Sequence, residues 1–179
     1  MKLKFTASAV MAAALTLTAC ATSPTGRNQV LLYSESQLAQ MGDQAFTGMK
    51  EELKISNKAV QNSYVECVAN AITAQVPASV FNGQWEVVVF DDEQVNAFAL
   101  PGGKIGVYTG LLKVAENQHQ LAAVIGHEVG HVIAEHGNER MSQSTLINVG
   151  SQAVGQADEQ KYRSEFVHGE LNYRRASVA

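Results

Sequence analysis

Cysteine is scarce in this chain: its 179 residues hold two, Cys20 and Cys67. Cys20 directly follows the leader described below and is read as a lipidation site, so Cys67 is the one other thiol and an internal disulfide is not expected in the mature domain. Cys67 lies on an apolar helix stripe and is expected to be a buried, unreactive thiol. Positive charge is also in short supply, with 13 Lys and Arg against 17 Asp and Glu. Loss of Lys2 and Lys4 with the leader takes the formal charge from −4 to −6, which argues against nucleic acid as a partner. Past the leader, no apolar stretch is long and charge-free enough to cross a bilayer. There are no internal repeats. About 160 residues remain, enough for one domain with a real core and too few for two.

What is present begins with Met1-Lys2-Leu3-Lys4, a short basic region, and an apolar run from Phe5 to Leu17. That run is too short to span a membrane as a mature helix, and small residues close it, the pattern of a secretory signal. Leu17-Thr18-Ala19-Cys20 resembles a bacterial lipobox, which implies a lipoprotein signal over 1–19 and lipidation at Cys20. Ala21, where an Asp would hold such proteins back, implies the outer membrane. Residues 20–33, with Ser23-Pro24-Thr25-Gly26, are expected to tether the lipid anchor to the fold.

Ser34-Glu35-Ser36-Gln37 has the form of a capping box and predicts a helix to about Lys54, with Leu38, Met41, Ala45, Met49 and Leu53 on its buried face. A second helix is expected from Asn57 to about Val76, burying Val60, Tyr64, Cys67, Val68, Ala71 and Ile72. Trp85 to Phe90 is β-branched and aromatic and predicts a strand. Pro101-Gly102-Gly103 marks a turn between two extended pieces. In the second of these, Ile105 and Val107 alternate with smaller or polar residues as if one face were buried. Leu111 to Ala115 returns to helix. Asn117 then opens a long helix expected to reach Arg140 or Met141, so helices dominate and a short sheet sits between them.

That long helix carries His127-Glu128-Val129-Gly130-His131. At about 100° per residue, His127 and His131 leave the same helix face one turn apart and can hold one ion, with Glu128 on its flank. A zinc ion held by two imidazoles and a third protein ligand keeps an open position and lowers the pKa of water there to roughly 7, and the adjacent Glu can take the proton. Three ionisable groups in an Ala, Val, Ile and Leu helix are costly to bury without a partner, and a metal supplies one. Gly126 and Gly130 cost about 1 kcal/mol each in a helix interior, which implies close approach of another element or of a substrate.

A third ligand is not adjacent. Gly137 stands where metzincins place a His, and His136 would point about 180° from His127 on a continuing helix. Glu135 would lie about 12 Å along the axis from His127, too far for contacts of about 2 Å.

Asn96-Ala97-Phe98-Ala99-Leu100-Pro101-Gly102-Gly103, then Val107 to Leu112, Val124 to His131 and His136 to Gln143 resemble, in order and spacing, the gluzincin metallopeptidases of the HtpX, BepA and CAAX-endopeptidase type. The likeness covers roughly Ser34 to Ala157. It implies an α+β, mainly helical, zincin-like fold with an HExxH core helix and a small sheet carrying a substrate-binding edge strand. The metallopeptidase domain would occupy 34–157, and the strand at Lys104 to Tyr108 would pair with extended substrate. It further implies a zinc-dependent endopeptidase with one Zn²⁺ per chain, His127 and His131 as ligands, Glu128 as general base and a polypeptide substrate. With the lipobox, it points to the periplasmic, lipid-anchored branch acting on unfolded or misassembled envelope proteins. The alternative is a catalytically incomplete lipoprotein that binds unfolded clients like a chaperone.

In that family the third ligand is a Glu of a Glu-x-x-x-Asp arrangement on a later helix, and no such spacing follows His131. Residues 158–179 are abruptly charged and resemble a truncated or out-of-frame end. The resemblance implies a further carboxy-terminal portion carrying oxyanion-stabilising side chains, which is expected to be lacking as well. The metal site of this chain is therefore expected to be incomplete, with Glu159, Glu165, His168 and Glu170 as local substitutes.

Overall fold

Ser34 opens the first helix as the spacing predicts. Its hydroxyl accepts from the Gln37 amide while the Gln37 side chain accepts from the Ser34 N–H, so two of the otherwise orphaned donors at a helix start are satisfied. A computed structural model of the protein describes residues 20–153. The signal at 1–19 and the charged tail at 158–179 lie outside them. In chain order the elements are strands β1 (Cys20–Thr22) and β2 (Asn28–Val30), helices α1 (Glu35–Glu52) and α2 (Ala59–Thr73), strands β3 (Glu86–Phe90), β4 (Ala97–Leu100) and β5 (Lys104–Tyr108), a 3₁₀ turn at Leu111–Lys113, and helices α3 (Gln118–Ile133) and α4 (His136–Ala153). The architecture is α+β and mainly helical, as expected.

The sheet differs from expectation in its order, β3-β5-β4, with β5 parallel to β3 and antiparallel to β4. Lys104 to Tyr108 is therefore the central strand, and both of its edges are taken. It also buries two faces rather than one. Ile105 and Val107 enter a core with Val65, Val68, Ala69, Leu121, Ile125 and Val129 under α2 and α3. Tyr108 joins Phe46 and Phe90 under α1. Between them, a side chain on Gly106 would collide with the Phe98 ring. The Pro-Gly-Gly turn forms as predicted, with Gly102 and Gly103 at φ 82° and 73°, the left-handed region that glycine enters without penalty.

Both helix faces are rotated from those expected. On α1 the buried residues are Leu38, Gly42 and Phe46, while Met41 is exposed. A Cβ on Gly42 would stand 2.1 Å from the Pro101 carbonyl oxygen, so α1 approaches the β4–β5 turn at the one position without a side chain. On α2 the buried set is Val65, Val68, Ala69 and Thr73. Val60 is 84% exposed, and Cys67, expected to be buried, is an exposed free thiol. Apolar residues recur at helical spacing on two sides of α2, and only contact with α3 and β3 chooses between them.

Residues 20–33, expected to be a tether, are folded. β1 and β2 pair as an antiparallel hairpin, Cys20 opposite Val30, and the segment after it is hydrogen-bonded to α4. The Leu32 amide donates to the Ser142 hydroxyl, the Tyr33 amide to the Asn138 side chain, and the Asn138 amide group back to the Tyr33 carbonyl. Asn138 and Ser142 are buried polar side chains, which burial would penalise without these partners.

Candidate metal centre

Asn117 caps α3 by accepting from the His119 and Gln120 amides. One face of the helix, Leu121, Ile125 and Val129, is fully in the core, and that docking turns the other face outward. There His127 is exposed and Glu128 and His131 are half-buried, with one ligand atom from each lying within 4.8 Å of the others. The Nε2 atoms of His127 and His131 are 3.0 Å apart. Two nitrogens on one tetrahedral zinc, each about 2.0–2.1 Å from it, stand roughly 3.3 Å from one another, so the pair fits that ion with a few tenths of an ångström of adjustment.

Electrostatics at the site follow from partial burial. Desolvation raises the Glu128 pKa, opposed by the charge of His127. Desolvation lowers that of His131, reinforced by His127, His136 and Arg140. The neutral imidazole that metal ligation requires is thereby favoured.

The motif helix does not continue to Arg140. The Ala134 and Glu135 amides close its last turn on Gly130 and Val132, and Glu135 then takes φ 53°. That left-handed conformation costs a non-glycine residue about 1–2 kcal/mol. α4 leaves in a new direction, which overturns the geometry that pointed His136 away: its Nδ1 lies 2.6 Å from Nδ1 of His131. Sequence reasoning missed this contact because it carried the helical angle through a break that neither Gly nor Pro announces.

The hairpin braces this junction. The Gln29 side chain donates to the Ala134 carbonyl and to Glu139, and Arg27 holds Glu139 with both terminal guanidinium nitrogens. An open cleft of about 420 Å³ lies beside it, lined by Arg27, His131, His136, Glu139, Arg140 and Gln143. The close approach expected at the motif glycines is not found among the described residues. Gly126 has one ordinary contact with Ile72, and Gly130 faces open space. The four candidate substitutes for a third ligand, Glu159, Glu165, His168 and Glu170, lie outside the described residues.

β4 is the strand that packs on the motif helix. It runs along α3, and Ala97 and Ala99 pack with the core residues of that helix. The Tyr108 amide donates to the Asn96 carbonyl. By alternation along the register, Phe98 and Leu100 direct their backbone groups to β5, and Ala97 and Ala99 direct theirs outward. The carboxy-terminal end of the outer edge of β3 is covered by residues 54–56 through Ser56 N–H to Val89 and Asp91 N–H to Lys54.

The chain is similar in sequence to known metalloendopeptidases. The chain is 37% identical over 114 residues to the mitochondrial metalloendopeptidase OMA1 of Arabidopsis thaliana, covering 62% of this chain and 23% of the relative. It is 28% identical over 135 residues to the mitochondrial metalloendopeptidase OMA1 of Homo sapiens, 69% of this chain and 25% of that one. With the beta-barrel assembly-enhancing protease of Escherichia coli (strain K12) it shares 25% over 103 residues, 58% and 21% of the two chains. The chain thus spans about a quarter of the length of the curated relatives it matches. The family model for Peptidase family M48 matches residues 57–172, from α2 through the motif helix and into the segment set apart above. With that match over most of its length and an HExxH helix whose ligand atoms converge, the chain belongs to peptidase family M48.

Proposed function

We propose that this chain carries the zinc-holding and proton-transferring part of an endopeptidase site. His127 and His131 would hold one zinc ion through Nε2, and Glu128 is the general base. The observation that carries the reading is the convergence of these three groups on the outward face of α3, on the helix that packs along β4, whose outer edge pairs with no strand among the described residues. Zinc, when bound, would supply polarisation of the scissile carbonyl and acidify the attacking water. The Glu128 carboxylate accepts the proton that water gives up and delivers it to the departing amine nitrogen. Its raised pKa makes it a better acceptor than an ordinary carboxylate.

Substrate binding is assigned to β4. Because β5 is central, the strand that can receive an extended peptide is Ala97–Leu100, through the outward N–H and C=O groups of Ala97 and Ala99. Strand addition holds an unfolded chain by its backbone with little reading of sequence. This suits unfolded or misassembled envelope proteins, a substrate class supported by the resemblance and by the names of the beta-barrel assembly-enhancing relatives. Lipidation of Cys20 would anchor the protein to the outer membrane facing the periplasm. Cys20→Ser should then release the protein or leave it unprocessed, and recovery of the unmutated protein in the soluble periplasmic fraction would argue against the anchor.

The decisive experiment uses the zinc-loaded full chain with casein. Glu128→Gln should lower turnover by roughly 10²–10⁴-fold while zinc stoichiometry stays the same. Cleavage that survives the substitution, or purified protein without zinc affinity, refutes the catalytic reading. Casein held but never cut by the unmutated chain would favour the chaperone-like alternative, which uses the same open edge.

A further inference from the structure

We infer that His136 is a positioning residue for the metal centre, acting through His131. The inference rests on the zinc reading above, and its observation is the 2.6 Å approach of the two Nδ1 atoms. An imidazole that gives its Nε2 lone pair to a metal must carry its proton on Nδ1. His131, whose Nε2 faces that of His127 at 3.0 Å, must therefore donate from Nδ1, and the acceptor that meets it is Nδ1 of His136. The His136 proton is then on Nε2. The opposite arrangement, with His136 donating, puts the His131 proton on Nε2 and blocks ligation. The pair thus couples tautomer to ligation. The hydrogen bond fixes the ring plane of His131 and favours the one tautomer that can bind, as carboxylates and backbone carbonyls do for other metal-bound histidines.

Three features hold His136 in place, and none belongs to the motif. Glu135 at φ 53° turns the chain so that the residue after it faces back along α3. The Gln29 side chain holds the Ala134 carbonyl. Arg27 holds Glu139 one turn further along α4. The amino-terminal hairpin is therefore part of the support of the metal centre, although 98–104 positions of sequence separate its Arg27 and Gln29 from the two ligands.

Zinc affinity of the full chain, measured by competition with a chromophoric chelator, tests this without activity. His131→Ala should abolish tight binding. His136→Ala should weaken it by about 10–100-fold, and His136→Asn, whose Oδ1 can sit where Nδ1 did, should recover most of the loss. Nitrogen-15 spectra of the zinc-loaded protein should show the His131 proton on Nδ1, protected from exchange in the unmutated chain and in His136→Asn and exchanging freely in His136→Ala. If the unmutated chain does not bind zinc, or His131→Ala binds as well as it does, the zinc reading itself fails. If those two behave as stated and His136→Ala binds zinc like the unmutated chain, or His136→Asn is as weak as His136→Ala, the positioning role of His136 is wrong.

Discussion

Arg27 and Glu139, 112 residues apart, close a two-pronged ion pair across the junction of α3 and α4. The side chain of Glu139 is 10% exposed and that of Arg27 52%, so the pair is a buried carboxylate clasped from the solvent side. It joins the hairpin to the helix that carries His136.

A pH dependence follows from this pair. The Arg27 guanidinium, with burial opposing and Gln29 assisting, holds the Glu139 carboxyl down from its ordinary 4.5 to about 2. Above about pH 4.5 the carboxylate is charged in both folded and unfolded chains, and its full contribution is present. Between there and about pH 2 the unfolded chain binds more protons, so stability falls as pH falls. Glu86, held down by Lys104 and Lys50, and Asp91, held down by Lys54, act with the same sign. The urea midpoint of the unmutated chain should drop between roughly pH 5 and pH 3, and Glu139→Gln should drop less steeply. Parallel pH profiles for the two proteins would contradict the assignment.

The aromatic cluster under α1 should dominate core stability. Phe46 is fully buried and meets Phe90 and Phe98 edge-to-face, both at 6.2 Å between centroids. Phe46→Ala should cost about 3–5 kcal/mol by chemical denaturation, and Met41→Ala, on the exposed side of the same helix, less than about 0.5 kcal/mol. Similar costs at the two positions would mean that the helix face has been assigned wrongly.

The kink after α3 should tolerate Glu135→Gly and reject Glu135→Pro. Glycine occupies φ 53° without steric cost. Proline fixes φ near −65° and removes the amide that donates to the Val132 carbonyl. Glu135→Pro is expected to cost on the order of 3 kcal/mol and to weaken zinc binding as His136→Ala does. Calorimetry of the metal-free proteins beside chelator competition separates the two effects, and unchanged zinc affinity in Glu135→Pro would show that the kink is irrelevant to the site.

Peptide capture by β4 predicts an asymmetry between neighbouring positions. Ala99→Pro deletes an outward donor while leaving the bonds of Phe98 and Leu100 to β5, and an edge strand accepts proline on that side. The kcat/KM on casein should fall roughly three- to tenfold, the worth of about one hydrogen bond, with zinc affinity and thermal midpoint unchanged. Phe98→Pro breaks a bond to β5 and should lower the thermal midpoint instead. Equal losses of stability at both positions would place the free edge elsewhere.

How much of this was legible before folding depends on the range of the interactions involved. The capping box at Ser34, the Pro-Gly-Gly turn and the two histidines on one face of a helix are written in residues a few positions apart, where backbone geometry permits few alternatives. The faces of α1 and α2 were misassigned because each offers apolar residues on more than one side, and the partner that selects among them comes from elsewhere in the chain. Strand order had the same character. Extended segments were recognisable from composition, but which of them became the centre of the sheet depended on β3 pairing with β5 across the β4 hairpin.

The sequence by itself determined that an HExxH helix exists with both imidazoles on one face, because two histidines four residues apart on a 3.6-residue period must share a face, and neighbouring apolar residues must bury the opposite one. Only the tertiary structure decided what surrounds that face. A polar amino-terminal segment finds its hydrogen-bonding partners on α4, more than a hundred residues away. Those bonds accompany a left-handed residue at Glu135 that brings His136 back to His131. No local pattern encodes that turn, since its conformational cost falls on one residue and the contacts that stabilise it are made by others.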